Sequence, residues 1–121
     1  MQPVDKKGEV VAFLRDFKEK KQIWGVVFLD DRGKNFSALS ELEIRPVERE
    51  QVLDKLSSSD FSEGPLEEDF HGGKEMWVFG KEVKGKEVYI KITLGPASTK
   101  TICISFHLAE YSMNYPFKPQ T

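Results

Sequence analysis

The chain has 121 residues, about one domain's worth, and its composition of 39% hydrophobic and 31% charged residues supports one modest core under a solvated surface. No apolar run approaches the roughly 18 residues that a membrane helix needs, and the N-terminus lacks an apolar signal core, so we expect a cytoplasmic protein with no membrane partner. The single Cys103 excludes an intrachain disulfide and a cysteine-rich zinc site, and with only two histidines we predict neither a metal nor a cofactor.

Charge is unevenly distributed along the chain, whose net charge is −2. Residues 1–73 contain 11 Lys/Arg and 16 Asp/Glu, whereas residues 74–100 contain 6 Lys and 3 Glu. A basic segment in an otherwise acidic chain suits a protein that brings one face to an anion. Lysines also protect a hairpin from edge-to-edge aggregation, and composition alone favours this second interpretation.

The first part of the chain predicts a helix followed by a strand. An apolar stripe with helical spacing predicts a helix over residues 8–20 and consists of Val10, Phe13, Leu14 and Phe17. The apolar, β-branched run at 23–29 predicts a strand, and the Asp- and Gly-containing residues 30–33 predict the turn that ends it.

Capping and turn residues organise the middle of the chain. Ser40 followed by Glu43 matches a capping box, and Arg45-Pro46 predicts a break followed by a helix whose apolar face ends near Leu56. Residues 57–75 contain Gly64-Pro65 and Gly72-Gly73 among acidic side chains, which predicts a long loop, acidic over 60–75.

The clearest pattern is a strict alternation of apolar and polar residues at 87–94 and again at 101–108, which predicts two half-buried strands. A Lys84-Gly85-Lys86 turn joins them to a third strand over 76–84, giving an antiparallel sheet in that order. We therefore predict a single α+β domain over 1–121, with N-terminal helices (1–60) packed on a C-terminal antiparallel sheet (76–108) and an extension over 109–121.

Side chains alternate between the two faces of a strand, so the parity of the residue numbers (odd or even) fixes which side chains share a face of this sheet. The apolar residues of both strands, including Ile102 and Ile104, are placed on the core face with Trp77 and Phe79. Two registers satisfy this condition. In the first, Tyr89 faces His107 and Lys91 faces Ser105; in the second, Tyr89 faces Ser105 and Lys91 faces Cys103. The polar face is thus predicted to carry one cluster of Tyr89, Lys91, Ser105 and His107. Cys103 is placed on the same face near Lys91, and Glu82 near Tyr89.

Three of these groups suit RNA cleavage through the 2′-hydroxyl. His107 can carry a proton transfer, Lys91 can hold phosphate oxygens, and Tyr89 can donate a hydrogen bond or stack on a base. We take Tyr89, Lys91 and His107 as the candidate catalytic residues, although ordinary solvent-face roles remain the simpler interpretation of such residues. A thiol nucleophile at Cys103 and a metal site on the acidic residues of 60–69 are two weaker alternatives.

The same strands resemble the C-terminal strands of the MqsR toxin family. Residues 87–93 are similar to its Val-Tyr-aliphatic-Lys-aliphatic-Thr strand, and residues 102–106 to its Val-Ser-Phe-Lys strand. Upstream, Ser40-Glu41-Leu42 and Ser59-Asp60-Phe61 resemble its Asp-Glu-Leu helix and Ser-Asp-Phe corner, and Trp77 matches a Trp before its middle strand. The resemblance covers about 40–108.

The resemblance implies a RelE-like fold and a metal-independent endoribonuclease, the toxin of a bacterial type II toxin–antitoxin pair, with messenger RNA as substrate and a cognate antitoxin as partner. It carries over Tyr89 and Lys91, and the family's Lys after Ser-Phe falls on His107. The family's Lys after Ser-Asp-Phe falls near Ser62 or Glu63, and its Gln after Trp falls on Val78. These two departures leave open a non-catalytic member of the fold that binds protein or RNA.

The residues after Leu108 extend past the usual family end. They are rich in aromatic residues and proline, with Tyr111, Tyr115, Pro116, Phe117 and Pro119. Such a tail can either pack on the sheet or reach a partner, and we favour packing.

Overall fold

A computed structural model describes residues 5–29, 33–67, 69, 70, 72 and 74–119. Within these residues the chain forms three α-helices, a short 3₁₀-helix and one five-stranded sheet, an α+β arrangement. In chain order the elements are α1 (Lys6–Trp24), β1 (Val26–Phe28), α2 (Gly33–Leu42), α3 (Pro46–Asp54), the 3₁₀-helix (Ser58–Asp60), β2 (Phe61–Leu66), β3 (Met76–Val83), β4 (Lys86–Thr93) and β5 (Thr101–Leu108).

Helix α1 supplies one layer of the core. It begins where the Asp5 side chain accepts a hydrogen bond from the Gly8 N–H (3.0 Å), and it ends at Gly25, whose φ of +90° suits glycine. The four residues of the predicted stripe are all buried. The helix runs to Trp24, so the strand predicted over 23–29 is shortened to β1; the predicted turn at 30–33 lies mainly outside the described residues.

The sheet has the order β1-β5-β4-β3-β2. The three C-terminal strands form the predicted antiparallel ladder, with Trp77 and Phe79 buried beside Ile92 and Ile90. The sheet as a whole is mixed rather than antiparallel, because β1 pairs with β5 in parallel. This pairing was not predicted, because the three residues of β1 are too few for their apolar and polar alternation to indicate which strand they pair with.

A register shift in the β4–β5 ladder changes the faces predicted for β5. Phe106 pairs with Ile90, but Cys103 pairs with Ile92, so one extra residue of β5 lies between the two pairs. Cys103 is therefore buried in the core and was wrongly placed on the polar face, which removes the thiol-nucleophile alternative. Ile102 and Ile104 are buried but lie outside the core cluster, contrary to the parity argument.

Two expectations for residues 40–75 were wrong. Ser40 lies in the last turn of α2 and Glu43 follows the helix with φ of +55°, so the pair ends a helix rather than capping a start. The stretch expected to be a loop contains the 3₁₀-helix and β2, which pairs with β3. The Pro46 start of α3 is confirmed, and Leu53 and Leu56 are fully buried.

The C-terminal tail, residues 109–119, packs on the sheet. Tyr115 donates a hydrogen bond to Glu87 Oε2 (2.7 Å), and the Phe117 ring stacks on Phe61 with centroids 5.5 Å apart. No helix among the described residues is both long and apolar enough to cross a membrane.

Candidate functional site

Tyr89 and His107 lie side by side on the polar face of the sheet. They are paired in the β4–β5 register, and their rings stack with centroids 5.2 Å apart and planes 12° apart. Lys91 lies two residues along β4 on the same face, opposite Ser105, with its Nζ 5.9 Å from the Tyr89 ring centroid. The three predicted site residues are thus brought together, in the first of the two registers that parity allowed.

The His107 ring is oriented by its own strand. Its Nδ1 lies 2.9 Å from the Leu108 carbonyl oxygen. A carbonyl only accepts hydrogen bonds, so this contact requires a proton on Nδ1. In the neutral ring Nε2 is then the basic nitrogen, and in the charged ring it is a second donor.

Tyr89 is held in its protonated form. Burial, with a smaller contribution from the Glu63 carboxylate, raises the pKa of the Tyr89 phenol above its ordinary value. A phenol that keeps its proton is a poor base and a dependable hydrogen-bond donor. Its chemistry in this site is therefore to donate to an anionic oxygen.

These groups line the floor of a cleft of about 820 Å³. The floor comes from β3, β4 and β5, one wall from β2, and the others from α2 and the tail. The lining residues are Lys34, Asn35, Ser62, Glu63, Val78, Tyr89, Lys91, Ser105, His107, Glu110, Tyr111, Ser112, Met113 and Asn114. A cleft of this size accommodates a small molecule or a short stretch of nucleic acid.

Asn35 joins α2 to the β5 edge of the cleft. Strand β1 covers only the first residues of β5, so the backbone groups beyond them need another partner. The Asn35 side chain provides it, donating to the Ile104 carbonyl (2.8 Å) and accepting from the Phe106 N–H (3.0 Å). This residue, 2% exposed, fixes the strand that carries His107.

Charges in the cleft are balanced between its walls. Lys34 of α2 forms an ion pair with Glu110 of the tail. The hydrogen bond and charge of Lys34 hold the pKa of the Glu110 carboxyl below its ordinary value, and the charge of His107 acts in the same direction. Lys91 and Glu63 are the cleft's other two charged residues besides His107, and neither forms an ion pair among the described residues.

Sequence reasoning missed three parts of this site: Lys34 and Asn35 of α2, the β2 wall with Ser62 and Glu63, and the tail. The aromatic and proline content of the tail was a usable signal for packing, although it did not show which face is covered. Glu82 lies on the polar face as predicted, two residues along β3 from Gly80, the partner of Tyr89, but it does not line the cleft.

The comparisons with known proteins find no relative. The sequence matches no family model, and no curated protein and no solved structure matches it significantly. The site must therefore be interpreted from its own chemistry.

The cleft is suited to proton transfer and anion binding. Within the described ranges, no three His, Cys, Asp or Glu residues are grouped so that they could hold a metal ion. The acidic residues of 60–69, the alternative metal site, are not gathered at one point: Asp60 pairs with Lys81, Glu63 lines the cleft, and Glu68 lies outside the described residues. The groups available for chemistry on the cleft floor are the His107 imidazole, the protonated Tyr89 phenol and the Lys91 amine.

Proposed function

We propose that this protein is a metal-independent endoribonuclease that cleaves single-stranded messenger RNA in the cleft above β4 and β5. The observation that carries the proposal is the stacking of Tyr89 on His107 with Lys91 beside them. These groups match the needs of transesterification at phosphorus, in which a proton is removed, negative charge accumulates and a second proton is returned.

The reaction begins with attack of the ribose 2′-oxygen on the adjacent phosphorus as its proton leaves. The new P–O bond gives a phosphorane, whose extra charge Lys91 and the Tyr89 hydroxyl stabilise through charge and hydrogen bonding. The bond from phosphorus to the 5′-oxygen then breaks, and that oxygen takes a proton. The products are a 2′,3′-cyclic phosphate and a 5′-hydroxyl. We assign one of the two proton transfers to His107 Nε2, because Nδ1 is engaged by the Leu108 carbonyl.

We further propose that the protein is a cytoplasmic toxin of a bacterial toxin–antitoxin pair with a RelE-like fold. The support is the resemblance of β4 and β5 to the MqsR strands, in which Tyr89 and Lys91 coincide with family positions. A cognate antitoxin that blocks the cleft is the partner this assignment requires.

Cleavage of single-stranded RNA by purified variants tests the proposal. Tyr89→Phe, Lys91→Ala and His107→Ala should each lower the single-turnover rate by about 10²–10⁴-fold, the usual contribution of a proton-transfer or oxyanion-stabilising group. Lys100→Ala is the matched control, because Lys100 is an exposed loop lysine outside the cleft lining. If all four variants cleaved RNA at the wild-type rate, the activity would lie outside this cleft.

A non-catalytic module that binds RNA or protein is the second candidate. The observation in its favour is Val78, which is 1% exposed and forms an apolar patch of the floor between Glu63 and Lys91 in the strand register. This candidate predicts that wild-type protein retains RNA or a protein partner without changing the length of the RNA.

A further inference from the structure

A bulge in β2 places Glu63 on the face of the sheet that carries the site. Phe61 pairs with Phe79, and Glu63 pairs with Val78, the next residue along β3, so Ser62 is the extra residue between the pairs. Without the bulge, alternation would place Ser62 on the polar face and Glu63 on the core face. With it, both residues line the cleft.

Gly64 allows the bulged strand to approach β3 closely. Its φ of +137° is a conformation that other residues rarely adopt, and a Cβ there would lie 3.2 Å from the Met76 carbonyl oxygen. The local backbone is thus built for an irregular strand, and bulges of this kind serve to redirect a side chain.

The Glu63 carboxylate is uncommitted, whereas three other carboxylates at the sheet have partners. Glu110 is paired with Lys34, Asp60 with Lys81, and Glu87 accepts from Tyr115 and from the Met113 N–H. Among the described residues, Glu63 makes neither a hydrogen bond nor an ion pair. It is exposed to the cleft and free to accept a proton.

Glu63 and His107 lie on opposite sides of the groups that would hold the phosphate. Glu63 is on β2 and His107 on β5, with Lys91 and Tyr89 on β4 between them. Neighbouring strands are spaced by about 4.8 Å, so the β2 and β5 backbones are separated by about 14 Å. Because both residues line the same cleft, a phosphodiester bound between them would have its attacking and leaving oxygens on opposite sides.

We propose that Glu63 is the general base of the cleft and that His107 is its general acid. The Glu63 carboxylate takes the proton from the 2′-hydroxyl as the 2′-oxygen bonds to phosphorus. His107, charged and donating from Nε2, gives its proton to the 5′-oxygen as the bond from phosphorus to that oxygen breaks. One proton enters and one leaves the protein, and later transfer through water restores both groups. This assignment rests on the proposed function and names the two proton-transfer residues of that site.

A leaving-group substitution separates the two roles. The wild-type cleavage site is first mapped on a long single-stranded RNA, and a short RNA containing that site is made in two forms, one with the natural 5′-oxygen and one with sulfur in its place. A thiolate leaves without needing a proton, whereas the 2′-hydroxyl still needs a base in both substrates. Single-turnover rates are measured for wild type, Glu63→Gln, His107→Ala and Glu82→Gln, the last being a control carboxylate on the same sheet face but outside the cleft lining.

We expect Glu63→Gln to lower the rate about 10²–10³-fold on both substrates. His107→Ala should lower the rate on the oxygen substrate but come within about tenfold of wild type on the sulfur substrate. Glu82→Gln should match wild type on both. If the wild type is active, two results would overturn the assignment of Glu63 as the base but not the proposed function. One is a Glu63→Gln variant as fast as wild type or faster, and the other is a Glu63→Gln variant whose rate the sulfur substrate restores. A wild type that cleaves the long RNA at no site overturns the proposed function as well. Since Glu63 is exposed and Gln is isosteric, unchanged thermal unfolding should accompany each rate.

Discussion

At the scale of single residues, Asn35 connects the fold to the site. Its side chain contacts the Leu29 carbonyl (2.6 Å) as well as the Ile104 and Phe106 backbone groups, so it joins the end of β1, the start of α2 and the edge of β5. Two of these three contacts lie on β5, the strand that carries His107. No sequence motif marks this residue, because its partners are distant backbone atoms.

Asn35→Ala should lower the free energy of unfolding by about 1–3 kcal/mol, because it leaves buried backbone donors and acceptors without a partner. Chemical denaturation measures this directly. Asn114→Ala is the control, since Asn114 is exposed in the tail, and it should change stability by less than about 0.5 kcal/mol. If the two variants were equally stable, Asn35 would not secure the β5 edge.

The sequence predicts Tyr89, Lys91 and His107 as neighbours because two regular strands with strict alternation allow only registers of one parity. It does not predict Glu63, because a bulge breaks the alternation and leaves no pattern in the sequence. It misplaces Cys103 for the same reason, since a second register shift lies in β5. The regular part of the site was therefore predictable, and the irregular part was not.

At the scale of elements, the tail acts as a wall of the cleft. It crosses the sheet at Gly80, where a Cβ would meet the Tyr115 hydroxyl and lie 2.8 Å from Met113 Sδ. The glycine thus lets the tail lie flat on β3, next to Tyr89 in the strand register. Glu87 then fastens the tail through Tyr115 and the Met113 backbone.

Gly80→Ala should displace the tail and lower the free energy of unfolding by about 1–3 kcal/mol, the usual cost of overpacking. Denaturant unfolding gives the cost, and limited proteolysis should show earlier cleavage within 109–119. In a Tyr115→Ala background the same substitution should cost less, because part of the obstructing side chain is gone. A cost that is unchanged in that background would show that the tail does not press on Gly80.

The elements themselves were predicted unevenly. Strands β3 to β5 were found at nearly their observed bounds, and α1 was found but predicted shorter at both ends than Lys6–Trp24. Strand β2 was taken for a loop, because its glycine and proline disrupt both alternation and propensity. It forms instead because β3 presents an edge for it to pair with, which is information that local sequence does not contain.

At the scale of the whole molecule, expression in bacteria tests the assignment as a toxin. Strong induction of the wild-type chain alone should arrest growth, because an unrestrained ribonuclease depletes messenger RNA. Induction of His107→Ala to the same level should allow normal growth, and Lys100→Ala should arrest growth like wild type. Growth rate at matched protein levels, checked by immunoblot, is the measurement. Normal growth with abundant folded wild-type protein would favour the non-catalytic module.

If this cleft cleaves RNA with its own side chains, the reaction needs no metal ion. The most direct measurement is incubation of purified protein with single-stranded RNA in excess EDTA, followed by mapping of both product ends. We expect undiminished cleavage by the wild-type protein that leaves a 2′,3′-cyclic phosphate or 3′-phosphate and a 5′-hydroxyl, and cleavage about 10²–10⁴-fold slower with His107→Ala. Cleavage that EDTA abolishes and Mg²⁺ restores, with 5′-phosphate ends, would contradict the proposed mechanism. Hydrolysis by a metal-activated water produces such ends and does not need His107.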